Sequence, residues 1–169
     1  MKYPSILNAN AQASLVLSTG EKILVPKATP QFRRWSGEQL KNTYGGKALI
    51  DVSGEPLFAE LAILRAFKSD GWSGVWVDTF GNRFRTIWEG CGVDLPPEKK
   101  LFLDRLNLAS NTRNGCWDVF CWRNDEVVFA EAKCLDNDRI RSTQVRWLEA
   151  VLRCGLKAES FLLVEWSFA

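Results

Sequence analysis

The stretch from Cys116 to Trp166 constrains the fold most, because its apolar periodicity changes from that of strands to that of a helix and back again. Cys116–Trp122 and Val127–Lys133 read as strands, and the Arg123-Asn124-Asp125-Glu126 turn between them is short enough to pair them antiparallel. After a loop over Cys134–Asp138, a helix is expected over Arg139–Cys154, with Ile140, Trp147, Leu148 and Val151 on one face. Gly155 marks its end, and Ser160–Trp166 returns to strand composition.

The upstream sequence supplies further elements. Ser53-Gly54-Glu55-Pro56 reads as a helix start, with Pro56 near the first turn where a missing N–H costs nothing, and the helix runs to about Ser69 before Asp70-Gly71. Strands are expected over Trp72–Asp78 and, past the Gly81-Asn82 turn, over Arg83–Ile87. Pro96-Pro97 and an amphipathic helix over Glu98–Leu108 fall within an insertion at about 80–114. The order is helix, strand, insertion, strand, strand, helix, strand. It predicts an α/β protein with a mixed central sheet flanked by helices over residues 55–169. Residues 1–54 read as an N-terminal extension: a β-hairpin from Ala13–Ser18 and Lys22–Val25 around Thr19-Gly20, then irregular chain with a short helix around 37–42.

Composition removes several function classes. With 169 residues, 46% of them hydrophobic, the chain suffices for one buried core, since ~100–200 residues is the usual domain size. No run approaches the ~20 apolar residues of a membrane span, and Met1-Lys2-Tyr3-Pro4 lacks a signal segment, so a soluble, cytoplasmic protein is expected. The 5 cysteines form no CxxC pair, which fits a reducing compartment and mostly structural roles. The absence of histidine excludes Ser-His-Asp and Cys-His catalysis, His-metal nucleases and HExxH proteases together. Acid–base work must fall to carboxylates, lysine or metal-bound water. A net charge of +2 is too small for a polycation, so nucleic-acid affinity requires local clusters, of which Arg139, Arg141 and Arg146 flank the expected helix.

The chemistry concentrates in Asp118, Glu131 and Lys133. Alternation on a strand puts Glu131 and Lys133 on one face, and antiparallel pairing across the turn brings Asp118 near Glu131. Charges ending so apolar a run are costly to bury unless paired or bound to a metal. Carboxylates with a backbone carbonyl and water form the hard oxygen shell that Mg²⁺ prefers, and a lysine beside it can stabilise charge at phosphorus. The bland alternative is a surface hairpin with an exposed Glu/Lys pair. Two further polar residues sit on apolar helix faces: Gln144 between Ile140 and Val151, and Glu60 between Leu57 and Leu64. A self-satisfied core amide and a snorkelling boundary acid are their ordinary explanations.

Asp118, the Glu131-Ala132-Lys133 triplet, Gln144 on the following helix and Glu60 on the first helix together resemble the PD-(D/E)XK nuclease superfamily, most nearly its VRR-NUC and Holliday-junction-resolvase-like branches. Trp147 and Gly155 are similar to residues that VRR-NUC members carry after the glutamine. Trp117 departs from the proline of the superfamily's name, and the span from Asp78 to Gly115 is longer than its compact core requires. The resemblance implies a restriction-endonuclease-like core of helix, three strands, helix and strand. It implies a nuclease in which Mg²⁺ or Mn²⁺ is held by Asp118, Glu131 and the Ala132 carbonyl, Lys133 acts on the attacking water, Glu60 assists a second ion or water, and Gln144 positions the site. DNA, more than RNA, would be the substrate, with structure-specific cleavage and a homodimer or larger assembly within the resemblance. The competing expectation is a non-catalytic nucleic-acid-binding or partner-docking module on the same fold, with Trp35, Trp72 and Trp88 as stacking surfaces.

Overall fold

The computed structural model describes residues 2–40, 43, 46–112, 114–135 and 137–169. After a 3₁₀ turn at Ser5–Leu7 comes a hairpin of β1 (Ala11–Val16) and β2 (Lys22–Ala28), followed by β3 (Gln31–Phe32). This hairpin extends the main sheet, because β2 pairs in parallel with the last strand through Leu163↔Lys27 and Val164↔Ala28. Val25 and Ala28 are buried by that union. Of the short helix expected around 37–42, residues 37–40 are irregular and 41 and 42 lie outside the described residues.

β4 (Ile50–Val52) and β5 (Glu55–Leu57) form a small separate hairpin ahead of α1 (Ala59–Ser69). The expected helix start at Pro56 is thereby corrected. Ser53 and Gly54 both take positive φ, 56° and 86°, the signature of a two-residue hairpin turn, and Asp51 accepts a 2.7 Å hydrogen bond from the Gly54 N–H. Pro56 therefore lies in β5, where a strand outside the main sheet tolerates its missing donor.

β6 (Ser73–Asp78) follows α1, and β7 (Arg83–Arg85) ends two residues earlier than expected. α2 (Pro97–Ser110) occupies the insertion, its Pro97 at the first position of the helix. β8 (Val119–Arg123), β9 (Glu126–Cys134), α3 (Ser142–Arg153) and β10 (Phe161–Phe168) complete the chain. The helix expected from Arg139 thus begins three residues later, leaving Arg139 and Ile140 ahead of it and Arg141 at its N-cap.

The result is an α/β fold with one mixed eight-stranded sheet in the order β1-β2-β10-β9-β8-β6-β7, with β3 also on β10. β8 runs antiparallel to both of its neighbours, β6 and β9, whereas β10, reached through α3, runs parallel to β9. Side chains of β9 alternate between two cores. Val128 and Ala130 join Ile63, Leu64 and Phe67 of α1 on one face. Phe129 joins Trp147, Leu148 and Val151 of α3 on the other, with Leu103 and Leu106 of α2. Phe129 stacks on Phe120 at 4.8 Å and meets Trp147 edge-on at 4.8 Å, so this face is aromatic where the α1 face is mainly aliphatic around β9. Burial of each such ring is worth roughly 1.5–3 kcal/mol. Trp72 packs edge-on against Phe67 and Trp88 against Phe58, which commits two of the three candidate stacking tryptophans to packing. Among the described residues no helix is long and apolar enough to cross a membrane.

Candidate active site at the ends of strands β8 and β9

The β8–β9 ladder runs from Arg123↔Glu126 to Val119↔Ala130 and stops there. Beyond the last pair, side chains replace the backbone bonds. The Asp118 N–H donates to Glu131 Oε2 at 3.1 Å, and the Ala132 N–H donates to Asp118 Oδ2 at 3.1 Å. Each acid is thus tied to the other's strand. The Asp118 carbonyl accepts from Val77 N at 2.7 Å, which anchors the same point to β6. A strand residue sends its N–H and C=O to the same side, so the Ala132 carbonyl projects past the end of the ladder toward Asp118.

Alternation does place Glu131 and Lys133 on the α3 face, and the Lys133 Nζ lies 2.8 Å from Glu131 Oε1, with side chains 6% and 1% exposed. Asp138, in the loop before α3, stands 3.7 Å from the same ammonium. Gln144 is fully buried and uses both ends of its amide. Its Nε2 donates to Glu131 Oε1, and its Oε1 accepts the Arg141 N–H at 2.9 Å. The second contact satisfies an orphan donor of α3 in the manner of a capping-box glutamine. One side chain therefore fixes the helix start and the carboxylate together.

Glu60 occupies the first turn of α1, on the opposite face of the sheet. Its direct partner is Lys47, from the segment preceding β4. Both line a cleft of about 140 Å³ with Ala132, Asp138 and Trp166. Sequence reasoning passed over Lys47, since it lies in a stretch without apolar periodicity. Arg139, Arg141 and Arg146 are exposed around the start of α3.

The electrostatics record crowding of acids. Burial, then the charges of Glu131 and Glu60, push the Asp118 carboxyl well above the usual carboxylate range, against the opposing pull of Lys133 and the Ala132 N–H. Burial also raises Glu131, although Lys133, Asp118 and Gln144 all favour its charged form. For Lys47, partial desolvation works to lower the ammonium, but the charge and hydrogen bond of Glu60, with Asp118 and Asp78 behind it, outweigh this and raise it. Burial and the two acids likewise push the Cys116 thiol far up, so it stays protonated and inert. Cys116 and Cys121 are buried as core residues, Cys134 is half-buried, and Cys91 and Cys154 are exposed.

Among the described residues no three His, Cys, Asp or Glu side chains converge as a ready-made metal cluster. What does converge is two carboxylates with a main-chain carbonyl beside them, a set suited to a hydrated Mg²⁺, which keeps several waters. A carboxylate offers about four lone-pair sites. Glu131 accepts from Lys133, Gln144 and the Asp118 N–H, and Asp118 from the Ala132 N–H, so accepting capacity remains. The raised Asp118 carboxyl points the same way, because a cation would offset the charges of Glu131 and Glu60 that add to its burial. No protein-family model matches this chain, and no curated protein matches it.

Proposed function

We propose that this protein is a divalent-metal-dependent nuclease of the PD-(D/E)XK kind, nearest the VRR-NUC and Holliday-junction-resolvase-like branches, that hydrolyses phosphodiester bonds of DNA. The observation that carries this reading is the convergence of half-buried Asp118, just ahead of β8, with buried Glu131 and Lys133 of β9 at one point with an excess of carboxylate. The order α1, β6, β8, β9, α3, β10, with an antiparallel trio and a parallel fourth strand, supports it as the helix, three strands, helix and strand of a restriction-endonuclease-like core.

Mg²⁺ or Mn²⁺ would be held by Asp118, Glu131 and the Ala132 carbonyl, and when bound supplies positive charge against the phosphate and lowers the pKa of water. Lys133 contributes a fixed ammonium aimed at the same point, which stabilises negative charge developing on the phosphodiester without rearrangement. Gln144 orients Glu131, and through it Lys133. The exposed Arg139, Arg141 and Arg146 offer cations to backbone phosphates beside the centre, a contact that positions a strand without reading its sequence.

The test is cleavage of plasmid and oligonucleotide DNA with Mg²⁺ or Mn²⁺. Wild type is expected to cleave and to stop on chelation, whereas Asp118→Ala and Glu131→Ala lose cleavage while keeping wild-type circular dichroism. Full activity in Glu131→Ala would overturn the proposal. Binding without cleavage under both ions would favour a binding module instead.

A further inference from the structure

One cation of this centre comes from the chain itself. Lys47 approaches the acids from the α1 side, its ammonium on the Glu60 carboxylate. The Nζ lies 5.4 Å from the Trp76 ring centroid and 5.8 Å from that of Phe58, so two aromatic faces and a carboxylate hold it. Its charge also reaches Asp118 and Asp78. Lys47 and Glu60 line the cleft whose floor includes Ala132, and this is where a second divalent ion would need Glu60 as a ligand.

Charge counting decides what the place can hold. Asp118 and Glu131 beside Lys133 on one side, and Glu60 paired with Lys47 on the other, together leave a single net negative charge. Asp78 is neutralised by Arg85 at 2.8 Å, and Asp138, with 53% of its side chain exposed, is screened by water. One divalent ion turns the centre to a single net positive charge, the complement of one phosphodiester. A second ion would bring this to three with Lys47 in place, and ligation by Glu60 would require expelling that ammonium, which still leaves two positive charges.

We infer that Lys47 is the resident second cation of this centre, holding Glu60 so that the site takes one divalent ion and not two. This rests on the nuclease reading above, and it changes the role of Glu60 from ligand of a second ion to anchor of a lysine.

The test counts Mn²⁺ bound to the full chain by electron paramagnetic resonance, without nucleic acid. Wild type is expected to bind one ion with an uncoupled signal. Lys47→Met, by freeing Glu60, should bind two, spin-coupled as ions ~3.5–4 Å apart are. Lys47→Arg should keep one, and Lys47→Met combined with Glu60→Gln should return to one. Two ions in wild type, or one in a folded Lys47→Met, would overturn the inference. If Lys47→Met does not fold, the wild-type count decides together with Glu60→Gln, which should still bind one. Asp118→Asn separates the two levels of failure. If wild type binds no Mn²⁺, or Asp118→Asn binds it as wild type does, the nuclease reading falls and the inference with it. If Asp118→Asn loses the ion but a folded Lys47→Met still binds only one, the inference alone falls.

Discussion

Two clusters of buried charge sit side by side at one end of the sheet, on β6–β7 and on β8–β9, and they are built on opposite plans. In the first, Asp78 and Arg85 meet at 2.8 Å with side chains 2% and 6% exposed. The second Asp78 oxygen takes the Gly81 N–H at 2.8 Å, and Arg85 Nη1 reaches the Trp88 and Gly90 carbonyls at 3.3 and 3.1 Å. Charge matches charge, and the hydrogen bonds tie the turn and the chain beyond β7 together. In the second cluster, Asp118 and Glu131 share the nearby ammonium of Lys133; burial holds both acids above their ordinary range, and the charges of Glu131 and Glu60 add to it at Asp118. The first fastens a hairpin. The second keeps unneutralised carboxylate in a buried place, which is how sites for cations and for chemistry differ from structural ion pairs.

Breaking each cluster should therefore have different consequences. The largest loss of stability is expected from Arg85→Ala, which strands Asp78 as an uncompensated buried charge at a cost of about 3–5 kcal/mol. Urea unfolding measures it, and a loss under 1 kcal/mol would mean that the two clusters are not distinct in kind. Gln144→Leu keeps volume but removes the tether on Glu131 and the acceptor for the Arg141 N–H. It should cost about 1–2 kcal/mol and reduce cleavage as well, whereas a purely structural glutamine would cost stability alone. The smallest effect has the opposite sign. Asp118→Asn should stabilise the metal-free protein by ~1 kcal/mol, as relief of a strained functional acid commonly does.

The pH dependence of that gain follows from the raised Asp118 carboxyl. A group whose pKa is raised on folding favours the fold below its unfolded value and loses that contribution as pH rises through the folded value. The advantage of Asp118→Asn should accordingly be greatest at neutral pH and vanish in acid, where Asp118 is protonated in both states. Thermal melts of the two proteins in chelator between acid and neutral pH check it. A constant difference would remove burial and carboxylate crowding as the cause.

Legibility in the sequence followed the range of the interactions. Gln144 stood out because helical spacing put an amide on an apolar stripe, and the short turn at Arg123–Glu126 brought Asp118 opposite Glu131. Both are local patterns. Pro56 misled because strands as short as Ile50–Val52 and Glu55–Leu57 show no readable alternation, so a proline after Ser-Gly looked like a helix start. The union of β2 with β10 left no trace, since parallel pairing between distant segments has no local signature. Lys47 was passed over for the same reason: nothing around it is periodic, and only the packed chain brings it to Glu60.

By itself, then, the sequence determined which residues would be costly to bury and which helix and strand faces they would share, because periodicity and charge are properties of neighbours along the chain. Tertiary structure alone decided how those charges are balanced. It gave Asp78 its full counter-charge in Arg85, left Asp118 and Glu131 sharing Lys133, and delivered Lys47 to Glu60 from an aperiodic segment. The physical reason is that the energy of a buried charge depends on every charge that packs around it, and that neighbourhood exists only once the sheet has closed.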